Sequence, residues 1–334
     1  MRREPAPIDG VDVLLADLDG VVYRGAEAIP HAIESINAAA TTRRVGYITN
    51  NASRTAASVA RHLTELGLRV VADDVVTSPQ AAVRLLAGIV PAGSKILVVG
   101  GEGLTFEVER AGFTVTRSAE ENPAAVIQGF APEVGWTQLA EAAYALQGGD
   151  AGIPWIATNT DWTLPLARGT APGNGTLVSA VHTAVGRLPL VAGKPEVAIF
   201  EEARVRFGAT APLVLGDRLD TDILGANRAG MDSVLVLTGI DQAKQVLAAD
   251  KDSRPTYVLE DLRDLDRPYP RPVAKQRGSS VLTSVGKAVV SRAGNEVRLE
   301  RPGSRIDVLR AGAHAIWESG LSIHALRVDP ALYS

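Results

Sequence analysis

The sequence predicts an α/β protein: a Rossmann-like, doubly wound parallel sheet, a second α/β block inserted into it, and a small α+β appendage at the end. Three observations carry this reading. Short apolar runs alternate with helical stretches from residue 11 to about 90, and again from 212 to 262. Such alternation is expected of a parallel sheet covered by helices on both faces. The apolar runs are unbroken, as in VDVLLAD (11–17) and PLVLGD (212–217), which suits strands buried on both sides. Between the two alternating regions lies a block with strands of its own.

In chain order, VDVLLAD reads as a strand, HAIESINAAATT (31–42) as a helix and RVGYITN (44–50) as a strand. SRTAASVARHLTELG (53–67) reads as a helix with Ser53 as N-cap and Gly67 as stop. In the middle block KILVVG (95–100), AAVIQGF (124–130) and IPWIATN (153–159) read as strands, and WTQLAEAAYALQG (136–148) as an amphipathic helix. The pattern then resumes with PLVLGD, a helix over TDILGANRAG (221–230), a strand SVLVLTG (233–239), DQAKQVLAAD (241–250) and TYVLEDL (256–262). The flanks, 1–79 and 193–266, read as one split domain and 80–192 as the insert. RPYPRPVAKQRG (267–278) holds three prolines and no apolar periodicity, and reads as a linker. Residues 279–334 alternate apolar and polar before a helical IDVLRAGAHAIWESG, and carry no recognisable chemistry. A chain ending near Arg271 is therefore expected to keep its activity.

Composition narrows the classes. The 334 residues suggest two or three domains, with 46% hydrophobic, 22% charged and only 4% aromatic residues. No apolar run reaches the ~20 residues of a membrane span. The opening MRREPAPIDG has no apolar core of a secretory signal. Absence of cysteine removes disulfides, thiolate nucleophiles and cysteine-based zinc sites. A net charge of −4, no long basic run and few aromatics argue against nucleic acid as partner. The expectation is a cytoplasmic protein with a small-molecule ligand and no membrane partner; a homo-oligomer is compatible with all of this.

Ligands of an open α/β sheet bind at the carboxyl ends of its strands. Asp17 and Asp19 end the first strand with Gly20 behind them, Thr49 and Asn50 end the second, Lys194 follows in VAGKP, and Asp217 ends PLVLGD. Side chains at i and i+2 of an extended segment share a side, so Asp17 and Asp19 can face one ligand while Leu18 turns inward. The plainer reading is a strand end flaring into a polar Asp-Gly turn. GDRLDTDI adds Asp217, Asp220 and Asp222 within six residues, an oxygen-only set that suits Mg²⁺. Its alternative is a charged turn in which Asp220 or Thr221 caps the following helix. Thr49 and Asn50 offer a hydroxyl and an amide to phosphate oxygens, or form an ordinary turn. Lys194 sits on a stiff loop between glycine and proline, or is a solvated charge.

DLDGVVYRG, ITNN, GKP and GDRLDTDI, in this order, resemble the four motifs of haloacid dehalogenase-type phosphatases over roughly residues 11–265. The insert is similar to the C2-type cap of the branch containing NagD-like and p-nitrophenyl phosphatases, and ATNTDWTLPLARGTAPGNG resembles a stretch usual in that branch. The resemblance implies a Mg²⁺-dependent phosphomonoesterase. Asp17 would be the nucleophile that forms an aspartyl phosphate, and Asp19 the general acid and then base. Mg²⁺ would be held by Asp17, the backbone carbonyl of Asp19, Asp217 and Asp222. Thr49, Asn50 and Lys194 would stabilise the transferring phosphoryl oxygens. The substrate implied is a small phosphoester, with glycerol 3-phosphate first, then 2-phosphoglycolate, pyridoxal phosphate or nucleotides. Trp162 and Arg168, in the loop of the insert, are the candidates for specificity. A hydrolytic dehalogenase would need neither Asp19 nor the Asp217/Asp222 pair, and an aspartyl-phosphate signalling module, or a binding protein without turnover, would not need the whole set together with an insert.

Overall fold

A computed structural model describes residues 4–147, 152–166 and 168–334. The chain divides into two compact units, one of Met1–Arg24, Ala28–Arg43 and Ala211–Ser334, the other of Gly25–Glu27 and Arg44–Thr210. Among the described residues no helix is long and apolar enough to cross a membrane.

In the first unit the strand Val13–Ala16 pairs with Pro212–Gly216, that strand with Asp232–Val236, and that in turn with Tyr257–Leu259, all parallel. Every residue of the first two strands is buried, which accounts for their unbroken apolar sequence. The expected helix over 221–230 is instead a π-type turn, Leu219–Ile223, running into a short α-helix, Leu224–Arg228. Neither Asp220 nor Thr221 caps it. Asp220 forms an exposed ion pair with Arg218 at 2.7 Å.

The appendage is an antiparallel meander of Val273–Arg277, Ser280–Val285, Ala288–Ala293 and Glu296–Arg301, with the helix Arg305–Trp317 packed on it. Two expectations change here. Part of the stretch read as a linker is a strand, exposed at every residue; with neither face buried, it had no alternation to show. Nor does the appendage hang free. Val285, Val290, Leu309 and Ile316 belong to one buried cluster with Leu219, Ile223, Val246, Leu247 and Val258 of the parallel-sheet region. The Arg310 guanidinium donates to the Val258 carbonyl at 2.7 and 2.9 Å and lies 4.2 Å over the Tyr269 ring. Burial pushes the Tyr269 phenol up, and its oxygen accepts from the Val258 amide at 3.2 Å.

In the second unit Arg44–Thr49 pairs in parallel with Val75–Thr77. A five-stranded parallel sheet runs in the order Leu190–Val191, Trp155–Ala157, Ala125–Gln128, Lys95–Val99, Thr114–Thr116. Helices Trp136–Ala145 and Asn174–Val185 bury a shared apolar layer against it. The helix expected from Ser53 starts later, at Ala56, and Thr55 caps it by accepting from the Ser58 amide at 3.2 Å. Ser53 is engaged elsewhere: its amide and hydroxyl both donate to Asn51 Oδ1, a local turn that competes with helix.

Candidate active site

Within the first unit the parallel register aligns two strand ends. Ala16 lies opposite Leu215, and the Asp17 amide donates to the Leu215 carbonyl at 2.8 Å. Asp17 and Asp217 therefore leave neighbouring strands side by side, at the carboxyl edge where such sheets bind ligands. Asp222 is drawn in by the π-type turn, its Oδ2 accepting from the Asp217 amide at 3.2 Å and the Arg218 amide at 3.1 Å. The carboxylates of Asp17, Asp217 and Asp222 offer oxygens within 4.8 Å of one another. They are 8%, 2% and 0% exposed.

Such a cluster is costly without a cation. Two unit charges separated by that 4.8 Å repel by about 3 kcal/mol at an effective dielectric of ~20, and burial adds several kcal/mol per ion. Hard, anionic, oxygen-only donors match Mg²⁺, which binds through one or two carboxylates while keeping waters. The donor set fits that ion.

Gly20 and Gly239 close around Asp217. A Cβ on Gly20 would stand 2.2 Å from Asp217 Oδ2, and one on Gly239 would stand 1.8 Å from it. The Ile240 amide donates to the same Oδ2 at 2.7 Å. Asp19 differs from its neighbour two residues back: it is exposed, and forms an isolated bridge with Tyr23. Its carboxyl is outside the three-carboxylate cluster, in contact with solvent.

The second unit gathers Thr49, Asn50 and Lys194, all buried. Thr49 Oγ1 accepts from the Asn51 amide at 3.1 Å, which leaves its hydroxyl hydrogen to donate. Asn50 has partners that the sequence did not suggest. Its amide group has two N–H donors, and both are engaged, with the Lys194 carbonyl and with Asp161 Oδ1, each at 3.1 Å. Its Oδ1 accepts from the Lys194 amide at 2.8 Å. The Asn50 side chain thus holds the Lys194 loop in place. Asn159, in ATNTD, donates to the Asn50 carbonyl at 2.7 Å and accepts from the Asp161 amide at 3.1 Å. Asn159 and Asp161 escaped the residue-by-residue reading, although the quoted ATNTD stretch contained them.

Trp162 is 65% exposed; its carbonyl accepts from the Gly173 amide and the Thr176 hydroxyl, both at 2.8 Å. Arg168 is exposed at the turn between Thr163–Leu166 and Gly169–Pro172. Neither is a packing residue. A cavity of about 720 Å³ in the second unit is lined by Glu102, Phe106, Arg117, Glu133 and Glu141 among others, and by none of the residues singled out above.

Residues 14–114 match the family described as haloacid dehalogenase-like hydrolase, and residues 191–265 the family described as HAD-hydrolase-like. D-glycerol 3-phosphate phosphatase of Mycobacterium tuberculosis is 44% identical over 309 residues, covering 92% of this chain and 86% of that one. The crystal structure of a glycerol phosphate phosphatase from the same organism, in complex with magnesium, superimposes with a TM-score of 0.85 at 40% identity, covering 98% of this chain and 95% of that one. NagD from E. coli K-12 gives a TM-score of 0.69 at 29% identity, covering 77% of this chain and 98% of its own. The chain belongs to the haloacid dehalogenase-like hydrolases. Within them it is an enzyme of the phosphatase branch, with the NagD-type fold and an additional C-terminal antiparallel sheet.

Proposed function

We propose that this enzyme is a Mg²⁺-dependent glycerol 3-phosphate phosphatase working through an aspartyl phosphate. The observation that carries the reading is the buried set of Asp17 and Asp217 at neighbouring strand ends and Asp222 on the adjoining turn, in a chain similar to a D-glycerol 3-phosphate phosphatase along most of its length. Asp17 attacks phosphorus and Asp19 gives a proton to the departing glycerol oxygen. Water then attacks the phosphorus of the Asp17 acyl phosphate, Asp19 takes its proton, and inorganic phosphate leaves with Asp17 restored. Asp17, Asp217, Asp222 and the Asp19 carbonyl hold Mg²⁺, which when bound neutralises the carboxylates and draws charge from the phosphoryl oxygens. Thr49 and Lys194 serve those oxygens as hydroxyl donor and cation, with Asn50 fixing Lys194.

The same reading makes 80–192 the cap of a core formed by 1–79 and 193–266, with Trp162 and Arg168 meeting the substrate's polyol end. It keeps the enzyme in the cytoplasm, acting on small metabolites and not on nucleic acid or membrane. The test is a panel of glycerol 3-phosphate, 2-phosphoglycolate, pyridoxal phosphate and nucleotides assayed with Mg²⁺. Highest kcat/KM on glycerol 3-phosphate supports the assignment; a clear preference for another member replaces it.

A further inference from the structure

The loop Thr238-Gly239-Ile240-Asp241 wraps the carboxylate cluster without belonging to it. The Asp241 amide donates to the Asp217 carbonyl at 3.1 Å, next to the Ile240 contact on the carboxyl of the same residue. The Asp241 carboxylate reaches in the other direction, accepting from the Leu219 amide at 2.6 Å. Leu219 opens the π-type turn Leu219–Ile223, and the first amides of a helical turn have no partner within it. No side chain at the turn's own N-cap position supplies one. Nor does Asp241 cap the helix that follows it, Ala243–Ala248, whose N-cap is Gln242. Its carboxylate is committed across 22 residues to the turn that presents Asp222.

We propose that Asp241 is a positioning residue for the metal carboxylates: its amide anchors Asp217, and its carboxylate fixes the start of the turn that swings Asp222 into place. This rests on the metal reading above. Partners one step beyond the ligands typically govern metal affinity by about 10–100-fold, and Asp241 stands in that relation to two of them.

The experiment is calorimetric titration of Mg²⁺ into the full-length, metal-stripped protein, with Mg²⁺ activation of phosphatase as second readout. Asp241→Ala weakens Mg²⁺ binding by about 10–100-fold, with kcat recovering at high Mg²⁺ and KM for the phosphoester unchanged. Should that variant not fold, two others decide. Asp241→Asn keeps an acceptor oxygen at the same reach and is expected to bind Mg²⁺ near the wild-type affinity. Asp241→Glu keeps the charge but not the reach, and is expected to bind weakly. The reverse order, or unchanged affinity in all the variants, overturns the proposal. Wild type that binds no Mg²⁺, with Asp217→Ala indistinguishable from it, overturns the metal reading itself and this inference with it.

Discussion

Asn50 and Lys194 hold each other across 144 residues of sequence: the Lys194 amide donates to Asn50 Oδ1 at 2.8 Å, and Asn50 Nδ2 donates back to the Lys194 carbonyl at 3.1 Å. The pairing is reciprocal and buried. The ammonium of Lys194 is thereby carried on a backbone segment fixed from one side-chain amide.

Asn50→Ala removes both halves of that pairing. Leaving buried groups unpaired costs about 1–3 kcal/mol each, and a displaced Lys194 would lose the transition-state contact proposed for it. The expected outcome is a fall in kcat/KM of roughly 10²-fold, of the order reported for removing one preorganised donor, with Mg²⁺ affinity unchanged. Steady-state kinetics and metal titration on one preparation check it.

Asp17 and Asp19 separate by chemistry. Asp17→Asn abolishes turnover of every phosphoester, since no aspartyl phosphate forms. Asp19→Asn slows alkyl phosphates by roughly 10²–10⁴-fold. A nitrophenolate leaves without a proton, so Asp19→Asn mixed with p-nitrophenyl phosphate should release a burst of nitrophenol and retain a phosphoryl adduct on Asp17. Rapid mixing followed by mass spectrometry reads both; an adduct on the Asp17→Asn protein contradicts the division of roles.

Glu202 offers a stability test at acid pH. Its burial alone would raise the carboxyl, but the guanidinium groups of Arg84 and Arg206, at 2.8 and 2.6 Å, outweigh this and hold it below the ordinary 4.5. A depressed folded value contributes stability that is present above 4.5 and lost as pH falls through the folded value. Melting temperature measured from about pH 3 to 6 should therefore fall more steeply toward acid in wild type than in Glu202→Gln.

Ending the chain at Arg271 is expected to give insoluble or unfolded protein, against what the linker-like sequence suggests. Leu219, Val246, Leu247 and Val258 share a buried cluster with the appendage. Exposing such side chains costs about 1.5–3 kcal/mol each, and four of them approach the about 5–15 kcal/mol that stabilises a domain. A soluble truncation with native circular dichroism would overturn this.

What the sequence disclosed follows a physical divide. Asp17 and Asp217 were legible because ionised groups behind unbroken apolar strands are conspicuous, and the parallel register then fixes them together. Asp222 was legible from its closeness in sequence, and the π-type turn brings it to them. Asp241 was not, because an aspartate opening a polar stretch looks like any turn residue; its role depends on a backbone amide 22 positions away. Asn50 was found as a polar strand-end residue, but its bonds to the Lys194 backbone were not legible, since an amide can serve a phosphate or a carbonyl equally well. Val273–Arg277 was missed because a strand exposed throughout carries no periodicity.

The shared apolar cluster also bears on how such a chain can change by descent. A gene shortened at the codon for Arg271 would not yield a smaller version of the same enzyme. It would leave Val246, Leu247 and Val258 on an adhesive surface, the kind that drives association. Loss of the appendage must be accompanied by recoding of those positions to polar residues, and grafting it onto a shorter relative requires the opposite recoding. The last sixty or so residues are inherited together with Leu219, Val246, Leu247 and Val258, not as a cassette.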